Sequence, residues 1–307
     1  MIQKKIIIID NNYSNQRIDN FIKTQFYKIP KSLLYKIIRI GNIQINNKKV
    51  HPSYKLQKRD VLSYNNILQY KKTDKKKSVL TTYMKKNIIS SILYEDKYLL
   101  IINKPCGIAV HGGSGIKLGI IEMIRLIKPE YRYIELIHRL DRDTSGILML
   151  SKKRSMLRIM HEKFREKKIK KKYIALIHGN LIPNKKIISF PLKKTNYQNK
   201  KKVVLDIYGK KSITVLKVKK RLNQTTFIEI IPKTGRTHQI RFHTSHIGYP
   251  IVFDKIYGNK ILDYKIDKSY KSKKMLLHAY EISFLHPYKK KIFFIQAPLC
   301  KRFKKYL

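Results

Sequence analysis

The sequence predicts an α+β protein in two parts, a small module over residues 1–65 and a larger mixed domain over 88–307, joined by a lysine-rich linker over 66–87. Three observations carry this. Two apolar stripes at helical spacing, followed closely by alternating apolar and polar residues, fill the first part. Periodicity then lapses in a stretch containing KKTDKKK at 71–77, which suits an exposed connection. Beyond it, strand-like and helix-like segments interleave to the carboxyl end without an internal repeat.

Each element has its own signal. From Arg17 to Phe26, the residues Ile18, Phe21, Ile22 and Phe26 stand at i, i+3, i+4 and i+8, one buried stripe of a short helix. Pro30 and Ser32 precede a second stripe, Leu33, Leu34, Ile37 and Ile38, which stops at Gly41, a residue suited to a left-handed helix end. Ile43 and Ile45 then alternate with polar residues, Asn46-Asn47 offers a tight turn, and Val50, Leu56, Val61 and Leu62 supply the later apolar positions. In the second part, Ile92–Tyr94 and Tyr98–Ile102 read as strands around a Glu95-Asp96 turn, and Ile147–Leu150 as a strand entered from a polar cluster.

Composition narrows the class. A hydrophobic content of 43% is ample for a sizeable core in 307 residues. No uncharged apolar run reaches the ~18 residues of a membrane span, and the opening MIQKKIIIID meets Asp10 after a short apolar run, so a soluble protein without a signal peptide or membrane association is expected. Cys106 and Cys300 form no CxxC pair, which points to a reducing cytoplasm. With 69 Lys and Arg against 19 Asp and Glu, the net charge is +50, and such a surface attracts polyphosphate by counterion release. Nucleic acid is therefore the leading partner. The same abundance of Lys, Ile and Asn is also what an AT-rich genome imposes, so the charge needs motifs beside it.

The chemistry concentrates in IHRLDRDTSGILMLSK, residues 137–152. Asp141 lies between Arg139 and Arg142, whose charges are expected to keep its carboxylate ionised and able to act as a nucleophile, with Asp143 as a candidate second acid. On residue type alone, an aspartate among arginines is more often a structural ion pair than a catalytic group. His238, His243 and His246 match no zinc spacing, so no metal is expected and they are assigned to ordering a cleft. Gly112, Gly113 and Gly115 lack the lysine-serine pair of a phosphate loop and read as a turn, and the basic KRFKKYL end reads as RNA-contacting or solvated.

The wording of these segments resembles a known family. His138-Arg139-Leu140-Asp141 followed by Thr144-Ser145-Gly146 is similar to the signature of the large RNA pseudouridine synthase family around its catalytic aspartate. Further matches follow in order: Asn103-Lys104-Pro105 with Gly107 and His111, Lys171-Lys172-Tyr173 with Ala175, Thr234 to Arg241 with His243, Leu276-Leu277-His278-Ala279, and His286-Pro287. The resemblance implies a mixed, mainly antiparallel sheet with flanking helices. It implies Asp141 as the catalytic carboxylate, Arg241 as its ionic partner through a bidentate fork, and Tyr173 packed on the target base. It also implies Arg139 entering the stack vacated by the flipped uridine, with His138, Thr144 and Leu277 lining the substrate site. One departure stands out: Phe253 precedes Asp254 where the family commonly has glycine, which puts a local turn in doubt.

The first part resembles an S-four-like RNA-binding domain in QRIDNF, in residues 31–50 and in the Lys-Arg-Asp-Val ending at Val61, which implies RNA contacts by Arg17, Lys31, Lys36, Arg39 and Lys48. Together the two resemblances imply a monomer, without cofactor, that isomerises uridines, with QRIDNF, PKSLLYKIIRIG and HPSYKL pointing to the subgroup acting on 23S ribosomal RNA. The other readings are a sister synthase acting on other ribosomal or transfer RNA uridines, a non-enzymatic RNA-binding assembly protein, and a glycoside hydrolase using Asp141 with Asp143.

Overall fold

A computed structural model describes residues 4–25, 31–65, 80–112, 118–197 and 200–307. The chain divides into two compact units, Met1–Val79 and Leu80–Leu307.

In the first unit, β1 (Lys4–Ile8) is followed by α1 (Ile18–Gln25), α2 (Lys31–Ile40), β2 (Ile43–Ile45), β3 (Lys48–Lys49) and β4 (Val61–Asn65). The sheet order is β1-β4-β2-β3, with antiparallel pairing throughout. The two stripes meet as expected, since Ile18, Phe21, Ile22, Leu34, Ile37 and Ile38 are buried against Ile43, Ile45, Leu56 and Leu62. Gly41 ends α2 at φ +84°, and Asn46 and Asn47, at φ +49° and +61°, make the tight turn between β2 and β3. Phe26 and Pro30 lie outside the described residues, as do the side chains of Lys31 and Ser32.

The second unit begins with α3 (Thr82–Ile89), β5 (Ile92–Glu95), β6 (Leu99–Lys104), α4 (Ile120–Ile127), β7 (Glu135–Leu136) and β8 (Ser145–Ser151). It continues through α5 (Arg154–Arg165), β9 (Lys170–His178), β10 (Lys185–Ser189), β11 (Leu192–Tyr197), β12 (Lys200–Leu205), β13 (Ile213–Arg221), β14 (Thr225–Pro232) and α6 (Gln239–His246). Last come α7 (Lys260–Ile266), β15 (Leu277–Leu285), β16 (Ile292–Gln296) and α8 (Lys301–Lys304).

One sheet of ten strands dominates, in the order β10-β13-β14-β9-β15-β8-β6-β5, with β16 on β15 and β7 on β8. All its pairs are antiparallel except β8 with β15, which matches the mixed, mainly antiparallel α+β class. Period-two alternation on β6 and β8 splits the core between the two faces. Leu100, Ile102, Leu148 and Leu150 pack with α4, while Leu99, Ile101, Ile147 and Met149 pack with Met156 and Met160 of α5. Every residue of β8 is therefore buried, as its apolar run requires.

The linker expected over 66–87 needs correction. Residues 66–79 lie outside the described residues, but Thr82–Ile89 is helical. Thr81 caps this helix by accepting the Met84 N–H at 3.2 Å, and Ile88 anchors it in the core, so lysine content concealed a short amphipathic element. Among the described residues no helix is long and apolar enough to cross a membrane.

Candidate active site

Tertiary folding collects residues from several segments, Phe164 of α5 and Pro232 of β14 among them, around one cavity of about 290 Å³, near the lower end of the roughly 300–1,000 Å³ usual for small-molecule sites. His138, Arg139, Asp141 and Thr144 line it from the loop before β8, Lys171 and Tyr173 from β9, residues 234–241 from the start of α6, and Leu277 from β15.

Backbone devices fix the Asp141 loop from both sides. The fully buried Lys104 amine donates to the carbonyls of Pro105, Ile108 and Arg142 at 2.8–3.0 Å, tying the loop after β6 to the loop after Asp141. Burial pushes that amine down to about 8. On the other side, Gly146 at φ +103° lets β8 approach β15, for a Cβ there would lie 2.2 Å from the Ala279 carbonyl oxygen. Ser145 Oγ, 2.9 Å from His278 Nδ1, closes the same seam.

The α6 start is held by a fully used amide. Gln239 accepts from the Thr234 hydroxyl (2.8 Å) and the Arg236 N–H (3.0 Å), and donates to the Ile213 carbonyl (3.0 Å) and Thr214 Oγ1 (2.9 Å).

Arg241, buried at 3% exposure, projects from α6 to Asp141, its Nη1 lying 3.2 Å from Oδ2. The bidentate fork expected toward Asp141 instead grips Asp254, with Nε to Oδ2 and Nη2 to Oδ1 both at 2.7 Å. Burial works against the Arg241 charge, but the hydrogen bonds and charge of Asp254, then those of Asp141, outweigh it and raise its pKa. Burial likewise opposes ionisation of Asp254, and the Arg241 hydrogen bonds with its charge bring that carboxyl below its ordinary value.

Arg139 and Arg142, the sequence neighbours expected to hold Asp141, do not pair with it. Its ionic partner among the described residues is Arg241, and the His238 imidazole lies near the same oxygen with Nε2 3.7 Å from Oδ2, while Arg142 faces Asp143 at 3.6 Å. The chain turns directly after Asp141, with the Thr144 N–H on the Asp141 carbonyl, and residues distant in sequence lie against its carboxylate. Oδ1 of Asp141 has no hydrogen-bond partner among the described residues.

The other expected residues sort as follows. Tyr173 lines the cavity, and burial, with the charge of Asp141, raises its phenol pKa, so it stays protonated. Arg139 is exposed at the cavity. Thr144 is buried, its N–H bonded to the Asp141 carbonyl at 3.2 Å. His138 is pushed down to about 3 by burial and accepts the Met149 N–H at 3.1 Å, so it is a neutral group tied to β8. Asp143 is not part of the lining; its carbonyl accepts from Cys106 Sγ. In the first unit, Lys36, Arg39 and Lys48 are exposed, whereas Arg17 commits its guanidinium to Asp19 at 2.7 Å.

Sequence reading gave no role to Asp254, Lys171 or Gln239, and gave His238 only the ordering of a cleft. The three histidines diverge: His243 bonds Thr214 (2.8 Å) and lies 3.1 Å from Ser212 Oγ, and His246 stacks on Phe242. Among the described residues no group of three or more His, Cys, Asp or Glu is placed to hold a metal. Phe253, standing where glycine was expected, adopts the left-handed conformation regardless, at φ +62°. Its N–H bonds Asp263 at 2.8 Å and its ring buries edge-on against Tyr306, so the turn before Asp254 is preserved.

Comparison with known proteins places this geometry. Residues 98–246 match the RNA pseudouridylate synthase family and residues 16–62 the S4 domain. The ribosomal large subunit pseudouridine synthase C of Buchnera aphidicola subsp. Schizaphis graminum (strain Sg) is 52% identical over 303 residues, 98% of this chain and 96% of that protein. The chain belongs to the RNA pseudouridylate synthase family. The Escherichia coli (strain K12) synthase C is 40% identical over 307 residues, covering 99% of this chain and 95% of that one. In fold, the chain is similar to human RNA Pseudouridylate Synthase Domain Containing 4, at a TM-score of 0.61 and 23% identity, over 73% of this chain and 94% of that one. As a pseudouridine synthase, the chain has a TSG segment set by the β8–β15 seam and a Thr-His-Gln-Ile-Arg segment set by the Gln239 amide and the Arg241 bridge.

Proposed function

We propose that this synthase isomerises uridines of 23S ribosomal RNA, with Asp141 as the catalytic carboxylate. The observation that carries the reading is Asp141 at the cavity wall, one oxygen paired with Arg241 at 3.2 Å and the other without a partner among the described residues. An ionised oxygen with a free lone pair is what attack on an everted nucleotide needs. The relatives named for the large ribosomal subunit, alike over nearly their full length, support the choice of RNA.

The reaction breaks the C1′–N1 bond, turns the uracil while it is held and joins C5 to C1′; the C5 proton is released and N1 takes up a proton, so the net proton count is unchanged. Nothing is oxidised or added, so positioning and charge suffice. Tyr173, protonated and beside the cavity, offers a flat ring to the base and an O–H to its carbonyl edge. Arg139, exposed at the same cavity, suits the gap left by the uridine. The chain is taken to act as a monomer, with Lys36, Arg39 and Lys48 of the first unit contacting RNA phosphates.

The test is incubation of the purified protein with unmodified 23S ribosomal RNA and mapping of pseudouridine. New pseudouridines with the native protein and none with Asp141→Asn, at RNA affinity within a few-fold, are expected. Pseudouridine at an undiminished rate from that variant would refute the assignment, and modification confined to transfer RNA would refute the target. A hydrolase using Asp143 would release free base, and Asp143 lies off the cavity lining.

A further inference from the structure

Tyr257 lies outside the cavity lining, yet it touches three groups around Asp141. Its hydroxyl oxygen accepts the backbone N–H of Val203, on β12, at 2.8 Å. The same hydroxyl lies 3.0 Å from Nδ1 of His238. Its ring stands 5.3 Å from the Arg241 guanidinium carbon and edge-on to the His238 ring at 5.6 Å.

These contacts fix a direction of proton donation. A phenol has one hydrogen, and with the Val203 N–H already donating to the oxygen, donation to Nδ1 gives the O–H its one acceptor among the described residues, whereas accepting from an Nδ1–H would leave the O–H with none. Burial raises the Tyr257 pKa despite the opposing Val203 N–H and Arg241 charge, so that hydrogen is retained at neutral pH. The only acceptor it faces at His238 is Nδ1, which must therefore carry no proton. His238 is itself kept neutral, since burial, reinforced by Arg241, lowers its pKa more than Asp141 raises it. A neutral imidazole with a bare Nδ1 has its proton on Nε2. That atom is 3.7 Å from Oδ2 of Asp141, the same oxygen Arg241 addresses.

We infer that Tyr257 locks His238 in the Nε2–H tautomer, making His238 a positioning residue that, with Arg241, turns one oxygen of Asp141 inward and leaves the other free for the substrate. The 3.7 Å separation is longer than a hydrogen bond, and contacts of this kind tighten once substrate fills the site. The left-handed backbone of His238, at φ +51°, fits this account: a strained residue at the head of α6 aims its ring at the cavity rather than away. Because Val203 sits on the lysine-rich β11–β12 hairpin, the lock also ties that hairpin to the carboxylate.

The inference rests on Asp141 being the catalytic carboxylate. Its test is Tyr257→Phe, which keeps the ring and removes the hydroxyl, read by kinetics and by two-bond ¹⁵N–¹H spectra of histidine-labelled protein, with the His238 signal assigned by its loss in His238→Gln. The native protein should show the Nε2–H tautomer. Tyr257→Phe should mix the tautomers and lower kcat about tenfold with KM for RNA within twofold, and His238→Gln, which still offers an N–H, should retain more activity than His238→Ala. An Nδ1–H tautomer in the native protein, or full kcat in Tyr257→Phe, would overturn the inference. Asp141→Asn separates the two failures: if it is inactive while Tyr257→Phe is fully active, only the lock is wrong, and if it is active the reading of Asp141 falls first.

Discussion

Arg241 gives its bidentate fork to Asp254 and only a single N–H to Asp141. The division matters because a fork on both oxygens of Asp141 would tie down each of them, whereas a single N–H leaves Oδ1 without a hydrogen-bond partner among the described residues. Asp254 fixes the guanidinium, and the guanidinium then presents one donor to Asp141. Asp254 is itself pinned, its Oδ1 also accepting the N–H groups of Ile256 (2.9 Å) and Tyr257 (3.2 Å).

Replacing Arg241 by Lys keeps the charge but cannot serve two carboxylates in fixed directions. It leaves the fully buried Asp254 side chain short of a partner, a loss of roughly 3–5 kcal/mol for a broken buried pair. A chemical denaturation curve shifted by that order, with kcat lowered by ~100-fold, is expected; native kcat in Arg241→Lys would refute the bridging role.

Tyr173→Phe isolates the phenol from the ring. If the O–H assists at the base, kcat falls by about tenfold or more while KM holds, because the stacking face remains. Since burial and Asp141 keep the phenol protonated, the rate should show no basic limb from this group between pH 7 and 9. Single-turnover rates across that range check both statements.

Gly146→Ala tests the β8–β15 seam. A methyl group 2.2 Å from the Ala279 carbonyl oxygen, at φ +103°, forces the strands apart and moves the Asp141 loop. A loss of about 3 kcal/mol or more, read as a lower thermal midpoint, is expected, while an equally stable and active variant would mean that the seam yields.

The buried histidines set an acid limit. His243 and His278 are pushed down to about 4 by burial, below the ordinary value of 6.5. Between these values the unfolded chain binds protons that the folded chain refuses, so their contribution to stability is fully present above pH ~6.5 and is lost as pH falls toward ~4. On the order of 1–2 kcal/mol per histidine should be missing at pH 5. Thermal midpoints at pH 7 and 5 check this, and His243→Gln should flatten the slope.

In the first unit, Lys36 and Arg39 are exposed one helical turn apart on α2. If they contact phosphates, Lys36→Gln and Arg39→Gln should each weaken RNA binding and reduce its salt slope by about one, without altering kcat. Filter binding from low to high salt distinguishes contact from solvated charge, which would leave the slope unchanged.

Local patterns were legible in the sequence wherever a short-range rule sets the structure. The stripes on α1 and α2, the Gly41 stop, the Asn46-Asn47 turn and the apolar β8 all depend on neighbours within a few residues, and, Phe26 apart, which lies outside the described residues, each formed where the spacing placed it. The Asp141 segment was legible too, through wording rather than geometry. Helix α3 was missed because its lysines hid a single buried anchor, Ile88.

By itself the sequence determined the α+β class, the two apolar cores and the residue types that gather at the cavity, since these follow from periodicity and from motifs. Only the tertiary structure decided which charges meet. Asp141 lies one hundred residues from Arg241 and next to arginines it does not pair with, while Asp254 and Tyr257 reach the site by folding back after α6. Ion pairs depend on distance in space, and at this site the sheet order, not the chain order, sets that distance.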